Sequence, residues 1–348
     1  MRFGSFMEFH SRPPGPEADA FAESFAHVRM AEEWGLDGVW LAETHFNPER
    51  SLLSSPLIVA AAIAGMTKRL AIGTAVHLLP LGNPLRTAEE TATLDQVSNG
   101  RLEFGVGRSS MPGSYEGYGV PYSESKERMF ESLSVIIAAW TQDRFTHHGT
   151  YFSYENVRLA PKPLQRPHPP VRIAATTDDT FTALGEMGMP IFIGIRNTTL
   201  AHLSAQVREY ERAWRGAGHA GAPDVMLRLP VYVAPTRERA LTEPEESFMR
   251  QFTRLGQQYS TTAVRAGADR DERAARAQHL ASLTWQQVLE EKVAAGTPEM
   301  VADRLQMLRE ELGLSGVVAE FNAGEKLPAE AVAASLRLFC ERVAPAFR

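Results

Sequence analysis

The run FGVGRSS at 104–110 places two glycines, a guanidinium and two hydroxyls side by side. Gly105 and Gly107 allow close backbone approach, Arg108 offers a fixed positive fork, and Ser109 and Ser110 donate hydrogen bonds. Those are the parts of an anion site. A tight turn carrying a surface arginine would use the same residues, so the run alone leaves both readings open. A second candidate is ATTDDT at 175–180. Thr176, Thr177 and Thr180 stand where a helix pattern begins, and hydroxyls there both cap the helix and face an anion held at its positive end. Ordinary capping is the plainer alternative. Together the two elements point to a phosphorylated ligand, its phosphate held by Arg108 and the Thr177/Thr180 region.

Titratable groups gather at other predicted strand ends. Glu43, Thr44 and His45 follow one strand, and His10 and His77 follow two others. Three histidines near consecutive strand ends raise a metal centre. Metal-dependent barrel hydrolases usually need a His-x-His pair on the first strand, which this chain lacks, and no metal is assigned. Glu43 and Glu320 read as buried carboxylates at strand ends. They suit general acid/base work or a partner-bound structural role equally.

These residues must be positioned by a regular framework. Short apolar runs alternate with helical periodicity: Arg2–Phe6, Gly38–Ala42, Leu70–Val76, Leu102–Val106, Val171–Ala174, Ile191–Ile195, Val225–Val233 and Gly316–Phe321 are predicted strands. Eight strands alternating with helices imply parallel pairing, and the simplest closure is a (β/α)8 TIM barrel spanning 1–348 as one domain. An open doubly wound sheet is the alternative. Insertions are expected after strands four and seven. The first, Phe145–Pro170, reads as a hairpin-like excursion ending in a proline-rich connector. The second, about 240–296, is charged and reads as a mobile lid, with a solvated helical pair as the alternative. Pro230 lowers the expected regularity of strand seven. Thr297-Pro298 and Gly313 bracket a helix, and Val332, Leu336, Phe339 and Val343 mark the closing one.

Barrels of this kind place chemistry at the C-terminal ends of their strands, where the candidates above fall. Composition fits a globular enzyme, with 44% hydrophobic and 22% charged residues. The net charge of −6 calls for neither nucleic acid nor an anionic membrane as partner. The single cysteine, Cys340, excludes an intramolecular disulfide and is expected to be packing. The N-terminal run shows no signal-peptide pattern and no apolar stretch is long enough to span a bilayer, so a cytoplasmic enzyme is expected.

MRFG at the start, GVWLAETHF at 38–46, the run at 70–108 ending LDQVSNGRLEFGVGR, and PHPPVRIAATTDDTFTALGEMGMPI at 168–191 together resemble bacterial luciferase and the luciferase-like flavin monooxygenases. The resemblance implies a barrel binding FMN at its C-terminal mouth, reduced by a separate NAD(P)H-dependent flavin reductase. It implies dioxygen and a small-molecule organic substrate as co-reactants, and a homodimer packed through early helices. By the same resemblance Arg108 binds the FMN phosphate, Thr176, Thr177 and Thr180 contribute donors, and Lys126 stands where luciferase has a second phosphate-binding arginine. Ala75-Val76 corresponds to the segment against the flavin ring that often carries a non-prolyl cis peptide, with Gly107 beside it. His45 corresponds to the second histidine of luciferase's Glu-His-His-Phe, making Glu43, Thr44 and His45 the expected catalytic group. Thr44 departs from the first histidine and Gly107 from a reactive cysteine, which argues against light emission. A deazaflavin-dependent hydride-transfer oxidoreductase and a non-catalytic flavin-binding relative are the alternatives.

Overall fold

The computed structural model describes residues 1–12, 14–263 and 270–348. Eight parallel strands run along the chain: β1 (Arg2–Met7), β2 (Gly38–Leu41), β3 (Ala71–Thr74), β4 (Leu102–Gly107), β5 (Val171–Ala174), β6 (Ile191–Gly194), β7 (Val225–Val233) and β8 (Gly316–Glu320). Each pairs with the next, and β8 returns to β1, so the ring closes as a (β/α)8 barrel. The predicted strands hold to within a residue or two. Contacts divide the chain into two compact units, Met1–Phe6 with Met30–Asp37 and Ala175–Arg348, and Met7–Arg29 with Gly38–Ala174.

In the first unit the register of β7 sets Arg228 opposite Gly194 of β6 and Pro230 opposite Glu320 of β8. Contrary to expectation, Pro230 leaves β7 unbroken. Aromatic edges close the core: Phe3 meets Phe339 at 5.2 Å and Phe347 at 5.4 Å between ring centroids, and Phe321 meets Phe339 at 5.4 Å. The helix Pro298–Leu312 begins and ends as its sequence demands. Thr297 accepts from the Met300 amide, and Gly313 stops the helix at φ 58°, a left-handed conformation that costs other residues about 1–2 kcal/mol. Val301, Leu305, Leu308 and Leu312 are buried between those stops, each contributing about 1.5–3 kcal/mol. The closing helix Ala329–Leu338 does not continue regularly to Val343. It widens into a π-helical turn, Phe339–Val343, that holds buried Cys340.

The charged stretch after β7 folds into helices Arg237–Thr242, Glu245–Ala263, Arg270–Ala281 and Trp285–Glu291. A short strand follows, Ala294–Gly296, parallel to the end of β7. Residues 264–269 of the predicted lid lie outside the described residues. The base of helix Glu245–Ala263 is tied down: Ser247 donates to the Ala323 carbonyl at 2.7 Å, and Arg254 pairs with Glu325. Gly324, at φ 82°, makes this seat possible, because a Cβ there would fall 1.6 Å from the Ser247 carbonyl oxygen.

In the second unit β2, β3, β4 and β5 pair in that order. The Trp40 indole fills the space over Gly73, where a Cβ would sit 2.2 Å from the ring. Thr74 ties β3 to β4 by donating to the Gly105 carbonyl at 2.7 Å. The excursion after β4 contains the expected hairpin, Phe145–His148 against Ser153–Val157. Its turn hangs on Glu131, whose carboxylate accepts the amides of Thr150, Tyr151 and Phe152. Helix Pro112–Tyr118 was not foreseen. Its sequence, PGSYEGY, reads as a loop, yet Pro112 starts it and Gly119, left-handed at φ 68°, ends it.

Candidate active site

Glu43, one residue beyond Ala42, is the hub of the second unit's polar cluster. Its Oε1 receives His45 Nε2 at 2.7 Å. Its Oε2 accepts the Leu78 amide at 3.1 Å and stands 2.7 Å from His77 Nδ1 as an ion pair. Both Glu43 and His45 are nearly buried at the side chain, 6% exposed. Burial by itself would raise the Glu43 carboxyl, but the charge of His77 and the bonds from both imidazoles outweigh it and hold the group at about 2. Burial likewise disfavours the His77 cation, and the facing Glu43 with Glu90 reverses the effect, raising His77 above 6.5. The site therefore holds an ionised carboxylate between two imidazoles.

Thr44 lies between them in sequence and points elsewhere. Its amide donates to the Leu53 carbonyl at 2.9 Å, while its hydroxyl is buried with no partner among the described residues. His10 does not join this cluster and binds the Arg50 carbonyl at 3.0 Å. Glu320, the other strand-end carboxylate, is fully engaged: Arg228 grips it through two nitrogens at 2.8 and 3.0 Å, and Gln251 donates at 2.7 Å.

The Ala75–Val76 peptide is cis. Directly beyond it, His77 and Leu78 pair with Val106 and Gly107. Only glycine fits at 107, since a Cβ would lie 2.5 Å from the Val76 side chain. Arg108 follows, and its Nη1 donates to the Ser125 hydroxyl at 3.3 Å. Ser125 opens the long helix Ser125–Thr141, and Lys126 is its second residue. The Arg108 guanidinium thus meets a hydroxyl at the positive end of a helix whose second residue is Lys126, a donor set that fits a phosphate dianion.

In the first unit Thr177 precedes helix Asp178–Glu186 without capping it by its side chain. Its hydroxyl instead contacts Asp179 Oδ1 at 2.6 Å and the Thr180 hydroxyl at 2.7 Å. Thr176 is exposed beside them. The plain capping alternative is therefore not what the structure contains.

One site contact and one site group escaped the sequence reading. His77 was visible as a strand-end histidine, but nothing local shows that it meets Glu43. Tyr118 gave no signal at all; its hydroxyl lies 3.3 Å from His45 Nδ1. Glu43, His45, His77 and Tyr118 line a cavity of about 610 Å3 together with apolar side chains that include Leu57 and Ile58.

Against known proteins, a family model described as luciferase-like monooxygenase matches residues 1–316. An uncharacterised protein of Sinorhizobium fredii is 34% identical over 51% of this chain and 50% of its own length. The alkanal monooxygenase alpha chain of Photorhabdus luminescens is 29% identical over 63% of this chain and 60% of its own. The chain thus spans only about half to three fifths of those relatives' length. The oxygenase component of the flavin-dependent trigonelline monooxygenase of Acinetobacter baylyi is 25% identical over 71% and 69%. Among solved structures, the monooxygenase RslO1 of Streptomyces bottropensis superposes with a TM-score of 0.83 at 22% identity, covering 100% of both chains. The oxygenating constituent of 3,6-diketocamphane monooxygenase of Pseudomonas putida, in complex with FMN, gives 0.80 at 21% identity over 99% and 98%. The coenzyme F420-dependent tetrahydromethanopterin reductase of Methanopyrus kandleri gives 0.75 at 18% identity over 100% and 99%.

Proposed function

The chain belongs to the luciferase-like monooxygenase family, and from that premise we propose that it uses reduced FMN and dioxygen to oxygenate a small or medium organic substrate. The observation that carries the FMN reading is the contact of Arg108 with Ser125 at the start of helix Ser125–Thr141, with Lys126 next in sequence. Reduced flavin, when bound, supplies the electrons that activate dioxygen. The protein's own residues do the rest. Arg108 and Lys126 hold the phosphate, Gly107 with Ala75 and Val76 shapes the wall beside it, and Glu43 fixes the His45 ring. His45 would accept or return a proton at the reacting substrate, with Glu43 stabilising the imidazolium.

A relative named as an oxygenase component supports a partner reductase that delivers reduced FMN. Among the described residues no helix is long and apolar enough to cross a membrane. Helix Pro56–Met66 is apolar throughout yet exposes Ile58 at 73%, and Val97 on helix Pro84–Val97 is 56% exposed. Two copies of the chain pack through these faces as a homodimer. The insertion at 240–296 serves as a lid hinged beyond its tethered base, excluding water from the reacting flavin.

A deazaflavin-dependent hydride transfer is the second reading, supported by the likeness to the F420-dependent reductase fold. The two readings part on dioxygen. Purified protein is titrated with FMN, reduced anaerobically and then exposed to oxygen while substrates are screened. Substrate-dependent oxygen uptake with an oxygen atom in the product supports oxygenation. Absence of FMN binding, or turnover indifferent to oxygen, overturns it in favour of hydride transfer.

A further inference from the structure

We propose that Tyr118 is a positioning residue that orients His45 and passes it a proton, so that Glu43, His45 and Tyr118 act as one chain of hydrogen bonds. The proposal rests on the reading of His45 as the proton-handling group of the flavin site.

The chemistry of the three groups fixes the direction of every bond. The Glu43 carboxylate can only accept, so His45 Nε2, 2.7 Å from Oε1, carries the hydrogen. In the neutral ring Nδ1 is then an acceptor. Among the described residues the Tyr118 hydroxyl lies 3.3 Å from it and must donate. The rings meet edge to face, with centroids 5.0 Å apart and planes at 81°. Burial, followed by the charge of Glu43, pushes the Tyr118 phenol above its ordinary value, so it stays protonated at neutral pH.

The backbone is shaped to deliver this contact. Phe46, immediately after His45, adopts a left-handed φ of 53°. Its ring lies over Gly117, where a Cβ would come within 2.2 Å of a ring carbon. Left-handed Gly119 ends the helix one residue past Tyr118. Two glycines therefore bracket the tyrosine, one letting its helix approach Phe46 and the other stopping that helix over His45.

The transfer balances without a redox step. As His45 Nδ1 takes the phenolic proton, the Tyr118 oxygen takes one from a water or a substrate hydroxyl on its exposed side, leaving it as hydroxide or alkoxide, 48% of the residue being open. Tyrosine ends as it began, and His45 becomes a cation against Glu43. The other titratable groups lining the cavity are His77, Glu90, Glu89 and Arg86.

The hydrogen bond is tested on the flavin-free protein by 15N NMR of its histidines, independently of any oxygenase activity. His45 is expected as the Nε2–H form with a hydrogen-bonded Nδ1. In Tyr118→Phe the Nδ1 signal moves to that of an acceptor without a donor, while the tautomer is kept by Glu43. An unchanged Nδ1 signal, or a wild-type His45 protonated on Nδ1, overturns the proposal. The transfer is tested by oxidation of bound reduced FMN with dioxygen in H2O and D2O. Tyr118→Phe should slow the proton-dependent phase about tenfold, 1.4 kcal/mol in barrier, and alter its pH profile. Gly117→Ala, which retains the hydroxyl but displaces it, should do the same. Equal rates and equal solvent isotope effects in wild type and Tyr118→Phe sink the relay. If FMN does not bind at all, the flavin reading fails while the NMR result still decides the hydrogen bond.

Discussion

The Oε2 of Glu43 stands 2.7 Å from Nδ1 of His77, joining the segment after β2 to the segment after β3 through one buried ion pair. Its contribution to stability has a defined pH window. The Glu43 part is present above the ordinary 4.5 and is lost as pH falls towards about 2. The His77 part is complete below 6.5 and fades as pH rises through its raised folded value. Glu43→Gln should therefore cost most between about pH 4.5 and 6.5, on the order of 3 kcal/mol. Urea unfolding of both proteins inside and above that window checks this; a gap independent of pH would contradict the ion pair.

Removing a phosphate ligand should discriminate between two flavins. Arg108→Ala should weaken FMN binding by about 2 kcal/mol, roughly thirtyfold, and leave riboflavin binding nearly unchanged because riboflavin lacks the phosphate. Calorimetric titration with each flavin decides it. Equal losses for both would place Arg108 elsewhere than at the phosphate.

The exposed apolar face of helix Pro56–Met66 yields a prediction about assembly. Ile58→Glu places a charge where two copies would bury an isoleucine; by light scattering the wild type should be a dimer and the variant a monomer at the same concentration. An unaltered mass would remove this face from the interface.

Gly324 supports the base of the insertion. Gly324→Ala drives a Cβ into the Ser247 carbonyl and strains a φ of 82°, a cost of about 1–3 kcal/mol. Amide exchange along helix Glu245–Ala263 should quicken while β2–β5 keep their protection. In the wild type, FMN should slow proteolysis beyond Tyr259 and leave the region around Ser247 unaffected. Identical cleavage with and without FMN would exclude a lid.

The strands were legible because each is a short apolar run bounded by breakers, and burial on both faces leaves little else for such runs to do. Pro230 misled because its missing amide is tolerated within β7, whose strand continues to Val233. The close approach at Gly107 was legible because glycine has few uses at a strand end, and a Cβ there would lie 2.5 Å from the Val76 side chain. The Glu43–His77 pair was not, since 34 residues separate its members and only the register of β2 against β3 brings them together. Tyr118 was hidden for a different reason. Its helix is too short and glycine-rich to show periodicity, and its partner His45 lies 73 positions away.

Cys340, buried in the π-helical turn near the C-terminus, gives the chain a built-in reporter. A thiol reagent has one target in the whole sequence, and that target is shielded while the closing turn stays packed. The rate of its modification therefore reads the opening of this end of the fold directly. A cysteine introduced at an exposed position could be labelled first, with the native thiol left silent.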